Sequence, residues 1–490
     1  MLDQSFTAYH FNEIFQIERR KGNIRKDFLP DSYVAVLKDG HDLDEEIRKL
    51  KKVKRKDWTP EQKERFEELK EEFKENLKLR RQEESKWFES LAGKINRKGF
   101  KIKLNKIKLG DKDGFTLAET PENFFVMKTL QYNLKKVFKV QQANRHRIMT
   151  QVRILMNEST PKYLIRTDVH HFYESIPQDK LLNMIKGNTL LSKMSVRFIW
   201  QILEEYERLK DAEEPAGLGV PRGVGVSAYL SEIYLRDLDE RIKRRPEVVY
   251  YVRYVDDIFM ILSHLPVDVS IEAYYDDIRK EFAELGLELM KPDDEDQKEK
   301  LQLLDLYSFL SKGDANQTGK FSYLGYQLEW LRHYVEAGNQ SGSELITRFN
   351  ISENKKTKIR KRIDAAFKHF EEKTKYSLSE ARKDLRDSLR FIAGNYRLTK
   401  SKAGVKAGIF YNNDLLTEIQ VLDGFTKHLR KKKIKVYPKV FKDEESKERY
   451  VEGIKKMVRR FNFQKNWEKQ KSYSIPDKRI KEISRWLSEE

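Results

Sequence analysis

The sequence predicts an α+β protein with a strand-bearing middle between two helical, charge-rich ends. Three observations carry this reading. Short strand-like runs, KYLIRTDV, VVYYVRYV and FSYLGYQL, alternate with helical stretches between about Lys101 and Trp330. From about Asp42 to Lys94 the chain is dense in Lys, Arg and Glu, with apolar residues at helical spacing. After about Thr347 it turns basic and helical again. At 490 residues it is too long for one compact core. The expected division is an N-terminal region, 1–100, a central domain, 101–335, and an all-helical C-terminal domain, 336–490.

The first region should hold a charged helical hairpin. WTPEQ supplies a helix start, with Thr59 as N-cap, Pro60 at the first position and Gln62 three after the cap. Phe66, Leu69, Phe73 and Leu77 then mark one face. A solvated structural arm is the first reading of such charge, and an RNA-gripping arm the second. In the last region Ile359, Ile363, Phe367 and Phe370 share a face, and Ser377 with Glu380 forms a capping box.

Composition narrows the function. Lys plus Arg number 98 against 79 Asp plus Glu, a formal net charge of +19, which points to a polyanionic partner, nucleic acid before membrane. There is no cysteine, so disulfides and thiolate metal sites are excluded. MLDQSFTAYHFNEIF lacks the build of a signal peptide, and no apolar run approaches the roughly 20 residues that span a bilayer. A soluble cytoplasmic protein with no membrane partner is expected.

Three segments carry chemistry. LIRTDVHHFYESIPQDKLL is an apolar strand running into Asp168, then a turn with Phe172 and Tyr173, then a helix opened by Pro177. GLGVPRGVGVSAYLSEIYLRDLDERI sets Gly217, Gly219, Gly223 and Gly225 before a helix whose Leu230, Ile233, Tyr234, Leu238 and Ile242 form an apolar face. YYVRYVDDIFMILSH reads as strand, tight turn at Asp256 and Asp257, and returning strand. Carboxylates in apolar strands need compensation, because an unpaired buried charge costs several kcal/mol or shifts its pKa. Arg166 and Arg253 are the nearest basic candidates. Divalent cations solve the problem too: carboxylate oxygens suit Mg²⁺, and two ions about 3.5–4 Å apart clamp an in-line phosphoryl transfer. The glycine loop would admit a nucleotide or base pair close to the backbone. Each feature alone has an ordinary reading, as a solvated turn, a loop or a helix cap. Their order argues for a site.

TDVHHFYESI, GVPRGVGVS and YVDD resemble motifs A, B and C of reverse transcriptases, and LGLEL and FSYLGYQL are similar to motifs D and E. The resemblance covers about Lys101 to Trp330. It implies a right-hand polymerase, with fingers and a palm built on an antiparallel sheet, followed by a thumb-like helical region. By that likeness Asp168 and Asp256 bind two Mg²⁺ ions, Asp257 is the third, less direct carboxylate, and the Val169 carbonyl is a further ligand. Tyr173 matches the aromatic gate against a ribose 2′-hydroxyl, whereas Phe172 reads as core. Gly223 and Ser227 fit the motif B loop and helix start, and Tyr254 would lie near the primer end. Two departures stand out. Arg222 replaces the usual Gln of motif B, and the motif D lysine is left unranked among Lys291, Lys298 and Lys300. For the triphosphate the resemblance offers Lys106, Lys108 and Lys112, with Arg145 or Arg147 as a further candidate.

Among reverse transcriptases, the absence of cysteine opposes intron-encoded members with Cys/His modules, and the V-T-G and N-A-x-x-H signatures of retrons are absent. The chain resembles the bacterial defence-associated, abortive-infection-like group. QSFTAYHFNEIFQIERRKGN, RFIAGNYRLTK and GIFYNNDLL look most similar to polymerases of its type 3 system. That likeness implies a structured non-coding RNA as template, dNTPs, a DNA product, a second reverse-transcriptase subunit and an oligomeric assembly. Untemplated or protein-primed synthesis by the same site, and a non-catalytic RNA-binding scaffold, are the alternative readings.

Overall fold

The computed structural model describes residues 2–109, 112–140, 143–158, 160, 162–187, 189–211, 213–292, 300–306, 319–337, 340–398 and 404–488. They form two compact units. The first comprises Met1–Gln142, Val169–Arg241 and Lys280–Glu288, and the second Ala143–Asp168, Ile242–Arg279 and Leu289–Glu490.

In the first unit, helices Asp31–Leu50 and Pro60–Ile95 run antiparallel. The Tyr33 hydroxyl donates to Glu84 at 2.6 Å, and the Asn76 amide donates to the Val36 carbonyl at 2.9 Å. Ile47, Trp58, Phe66 and Leu69 close the turn end in one buried cluster. The helix start is the one WTPEQ specifies: Thr59 accepts from the Gln62 N–H, and the Gln62 side chain returns to the Thr59 N–H. The expected apolar face holds at Phe66 and Leu69 but not at Leu77, which is 37% exposed. The buried seam passes instead through Asn76, whose side chain lies against Gly40 of the facing helix. Strands β1 (Leu104–Leu109) and β2 (Lys112–Leu117) make an antiparallel hairpin in the same unit.

The second unit carries β3 (Tyr163–Asp168), β4 (Val248–Tyr254), β5 (Asp257–Leu262) and β6 (Gln302–Asp305), paired antiparallel in the order β4-β5-β3-β6. Every residue of β5 from Ile258 to Leu262 is buried, as expected of an interior strand covered on both faces. A second sheet follows: β7 (Gly319–Tyr323), β8 (Tyr326–Ala337) and β9 (Gln340–Ile351). Phe259 of β5 stacks on Tyr323 of β7, ring centroids 5.1 Å apart. The same core takes in Ile363 and Phe370 of helix Glu353–Lys373 and Leu385 and Leu389 of helix Leu378–Ala393. Each such side chain removed from water is worth about 1.5–3 kcal/mol. Ser377 accepts the Glu380 N–H at the start of the latter helix.

Two expectations need correction. FSYLGYQL is not one strand-like run: it folds back at Leu324 and Gly325, with φ of 43° and 79°, and Tyr323 pairs with Tyr326. Positive φ at both turn residues gives the tight hairpin its twist. The C-terminal region is also not all helix. β9 extends to Ile351, where Thr347, Phe349 and Ile351 are buried in alternation with exposed or half-buried neighbours, a period of two that is incompatible with helix. Strands β10 (Asn395–Arg397) and β11 (Lys406–Gly408) form a further antiparallel pair. Among the described residues, no helix is long and apolar enough to cross a membrane.

Candidate active site

In the second unit, β3 ends on Asp168, and the register sets this residue opposite Asp257, the first residue of β5. Tyr254, the last of β4, is the other neighbour of Asp257. Val255 and Asp256 make the intervening turn, with Val255 at φ 65°. A β-branched residue in the left-handed region costs of order 1–3 kcal/mol and persists only where its surroundings impose it. Arg253 contributes by donating to the Val255 carbonyl at 2.8 Å.

Side chains two apart on a strand share a face, so Arg166 projects beside Asp168. Its Nε lies 3.1 Å from Asp257 Oδ1 and its Nη2 3.4 Å from Oδ2. Lys300 Nζ lies 3.2 Å from Asp168 Oδ2. Burial pushes the Asp257 carboxyl up to about 6, Arg166 opposes that rise, and the charges of Asp168 and Asp256 add to it.

An all-oxygen donor set of three carboxylates suits Mg²⁺ in type. It is not gathered as a closed metal cage. Among the described residues, the group of acidic or histidine side chains with donor atoms all within 4.8 Å of one another is Asp113, Asp211 and Glu214, in the other unit. Drawing the tip carboxylates around a cation means releasing Asp168 from Lys300. That ion pair is half exposed on the lysine side, where such pairs hold only about 0–1 kcal/mol.

In the first unit, the loop before helix Ser227–Lys243 is fixed by its backbone. Gly219 has φ 90°, and a Cβ there would fall 3.0 Å from the Glu174 carbonyl oxygen, so only glycine fits. The Val220 N–H donates to the Tyr173 carbonyl at 2.7 Å, and the Phe115 N–H of β2 donates to the Arg222 carbonyl at 2.7 Å. Ser227 Oγ donates to the Pro221 carbonyl at 2.7 Å. Gly223 has φ 93°. Tyr173 stands in the short helix Phe172–Ser175, entered through His171 at φ 43°, and Phe172 is buried as a core side chain. Arg222 makes a two-pronged ion pair with Glu174, Nε to Oε1 at 2.9 Å and Nη2 to Oε2 at 3.1 Å. Its guanidinium carbon is 5.5 Å from the Tyr173 ring centre.

Residues 123–328 match the family model described as reverse transcriptase (RNA-dependent DNA polymerase). Over that stretch the chain is similar to reverse transcriptases. No curated protein sequence matches it. Three solved structures are similar to it at low identity. Apo telomerase from Candida tropicalis is 14% identical, with TM-score 0.36, over 80% of this chain and 68% of that one. The same apo enzyme truncated from its C-terminal domain is 16% identical, with TM-score 0.30, over 46% and 52%. Telomerase from Candida albicans in complex with a TWJ fragment of telomeric RNA is 11% identical, with TM-score 0.32, over 79% and 62%. The chain thus spans about half the length of the truncated structure.

The matched stretch, 123–328, includes Asp168, Asp256, Asp257, Tyr173 and the glycine loop. The helical hairpin before it and β9 with the helices after it lie outside the match. Of the motif D lysines, Lys300 reaches Asp168, Lys291 is exposed, and Lys298 lies outside the described residues. Val169 is buried. Lys106 is paired with Asp211 at 2.7 Å and Asp113 at 3.0 Å, and Lys108 with Asp113. Lys112 opens β2 opposite Leu109. Arg145 donates to the Leu324 carbonyl at 2.7 Å and so braces the β7–β8 turn, whereas the Arg147 N–H is capped by Asn144. Sequence reasoning missed Glu174 and the acidic group at Asp113. Both depend on partners far apart in the chain, and no local pattern announces them.

Proposed function

We propose that this chain is a DNA polymerase that copies a bound non-coding RNA, adding deoxynucleotides by two-metal-ion phosphoryl transfer. The observation that carries the reading is the pairing of Asp168 with Asp257 across the ladder, Asp256 in the adjoining turn, inside the stretch that matches the reverse transcriptase model. Asp168 and Asp256 would hold two Mg²⁺ ions, helped by Asp257 and the Val169 carbonyl, and the ions would supply activation of the primer hydroxyl and charge neutralisation at the phosphates.

The remaining roles belong to the chain itself. The Arg166–Asp257 pair holds the returning strand, so that the tip carboxylates stay oriented. Tyr254 borders the primer end. Lys300, the motif D lysine with a contact to Asp168, serves as the proton donor to departing pyrophosphate. Tyr173 blocks a ribose 2′-hydroxyl. Gly223 and Ser227 shape the nucleotide side of the loop, and Arg222 replaces a neutral amide there with a charged fork. Lys106 and Lys112 address the triphosphate, for which Lys106 must leave Asp113 and Asp211.

Fingers and palm are residues 101–335, with the four-stranded sheet in the palm, and the thumb is the region 336–490. The setting is bacterial antiphage defence in the cytoplasm, with a second reverse-transcriptase subunit and an oligomeric assembly as partners. The net charge of +19 supports a polynucleotide partner. Purified complex, incubated with labelled dNTPs and Mg²⁺ with its co-purified RNA retained, should yield DNA. Prior ribonuclease treatment should abolish it, and labelled DNA that forms equally well after ribonuclease would replace templated with untemplated synthesis.

A further inference from the structure

Glu174 takes both prongs of the Arg222 guanidinium on its carboxylate. The two residues are neighbours only through the fold. Gly219, with φ 90°, brings the loop against the Glu174 backbone, where any Cβ would clash. The Val220 N–H then ties the loop to the Tyr173 carbonyl, and the Phe115 N–H fixes the Arg222 carbonyl from the other side. With both backbones held, the ion pair determines where the guanidinium goes. It lies against the Tyr173 ring, its carbon 5.5 Å from the ring centre.

We infer that Glu174 is a positioning residue for sugar selection: it seats Arg222 on the Tyr173 ring and so keeps that ring from tilting away from the sugar. The inference rests on Tyr173 being the 2′-hydroxyl gate proposed above. The local chemistry favours it. Two-pronged Arg–carboxylate pairs fix the plane of the guanidinium as well as its position, which a lone arginine cannot do. A guanidinium facing an aromatic ring is attracted to it and restricts its motion. Beside the pair opens a cavity of about 480 Å³, lined in part by Phe115, Tyr206, Leu218 and Val220, so an unpaired Arg222 has room to swing away from the ring.

The test compares Glu174→Gln, Arg222→Gln, the double variant and Tyr173→Ala with wild type, each in the full chain with its co-purified RNA and Mg²⁺. The measured quantities are kcat and KM for a dNTP and for the matching rNTP. Glu174→Gln should raise the rNTP share of kcat/KM about tenfold, with dNTP kcat changed less than about threefold. Arg222→Gln should raise that share by a similar factor, and because Arg222 lies on the nucleotide side of the loop it is read by the rNTP-to-dNTP ratio alone. The double variant should add little to either single one, because coupled residues are not additive. Tyr173→Ala should relax selection further than any of these. Equal losses for both nucleotides, or unchanged selection in both glutamine variants while Tyr173→Ala relaxes it, would overturn the role of Glu174. Unchanged selection in Tyr173→Ala would instead overturn the gate itself. Arg222→Gln keeps the test available if Glu174→Gln does not fold.

Discussion

Asp168 and Asp257 are direct partners across the β3–β5 ladder, and each has its own cation: Lys300 for Asp168 and Arg166 for Asp257. The two pairs are not equivalent. Arg166 and Asp257 are 16% and 19% exposed, whereas Lys300 is 48% exposed. The first is part of the fold, and the second can be exchanged.

Arg166→Leu should therefore destabilise the protein by about 2–4 kcal/mol, because it strands a mostly buried carboxylate. Arg166→Leu combined with Asp257→Leu should recover most of that loss. Urea denaturation of the three proteins checks this. A double variant as unstable as the single one would mean that the arginine acts by packing and not by charge.

Val255 stands at φ 65° in the turn that carries Asp256. Glycine relieves the left-handed strain of about 1–2 kcal/mol but adds chain entropy of about 0.5–1 kcal/mol. Val255→Gly should leave stability unchanged or raise it by up to about 1 kcal/mol, while nucleotide turnover falls because the carboxylates lose their fixed orientation. Thermal melting and single-nucleotide incorporation measure the two effects separately. Full turnover with unchanged stability would show that the turn does not need its strain.

Lys355 lies among Arg145, Tyr326 and Asn412, and its ammonium donates to the Asn412 carbonyl at 2.7 Å. Burial pulls its pKa down to about 7, the charge of Arg145 adds to the drop, and Asp414 opposes it. In the unfolded chain a lysine titrates at about 10.4. Between about pH 7 and pH 10 the unfolded state thus binds more protons than the folded one, and stability rises with pH. Below about pH 7 both states are protonated and this dependence vanishes. Lys355→Met should remove the rise and be the more stable protein near neutrality. Denaturation midpoints at about pH 7 and about pH 9.5 decide it, and an unchanged slope would place the titration elsewhere.

The sequence made the local parts of this structure legible. Thr59, Pro60 and Gln62 specify a helix start because all three act within one turn. The apolar flanks of Asp256 and Asp257 specify strand, turn and strand because their period is short. The break at Leu324 and Gly325 was hidden, because a leucine at φ 43° has no local signal. β9 was hidden because its first half, QSGSE, is polar and its apolar positions run directly into the helix that follows. The Arg166–Asp257 and Glu174–Arg222 pairs join residues 91 and 48 positions apart. They needed the strand register and the glycine loop, which are properties of the folded chain.

In the function proposed above, the tip carboxylates perform DNA synthesis on bound RNA. Its most direct test is the double variant Asp256→Ala with Asp257→Ala, assayed beside wild type for incorporation of labelled dNTPs and, on the same preparations, for bound RNA. Synthesis should fall at least about a thousandfold, with RNA still bound at wild-type level. Synthesis persisting in a folded, RNA-loaded double variant would contradict it.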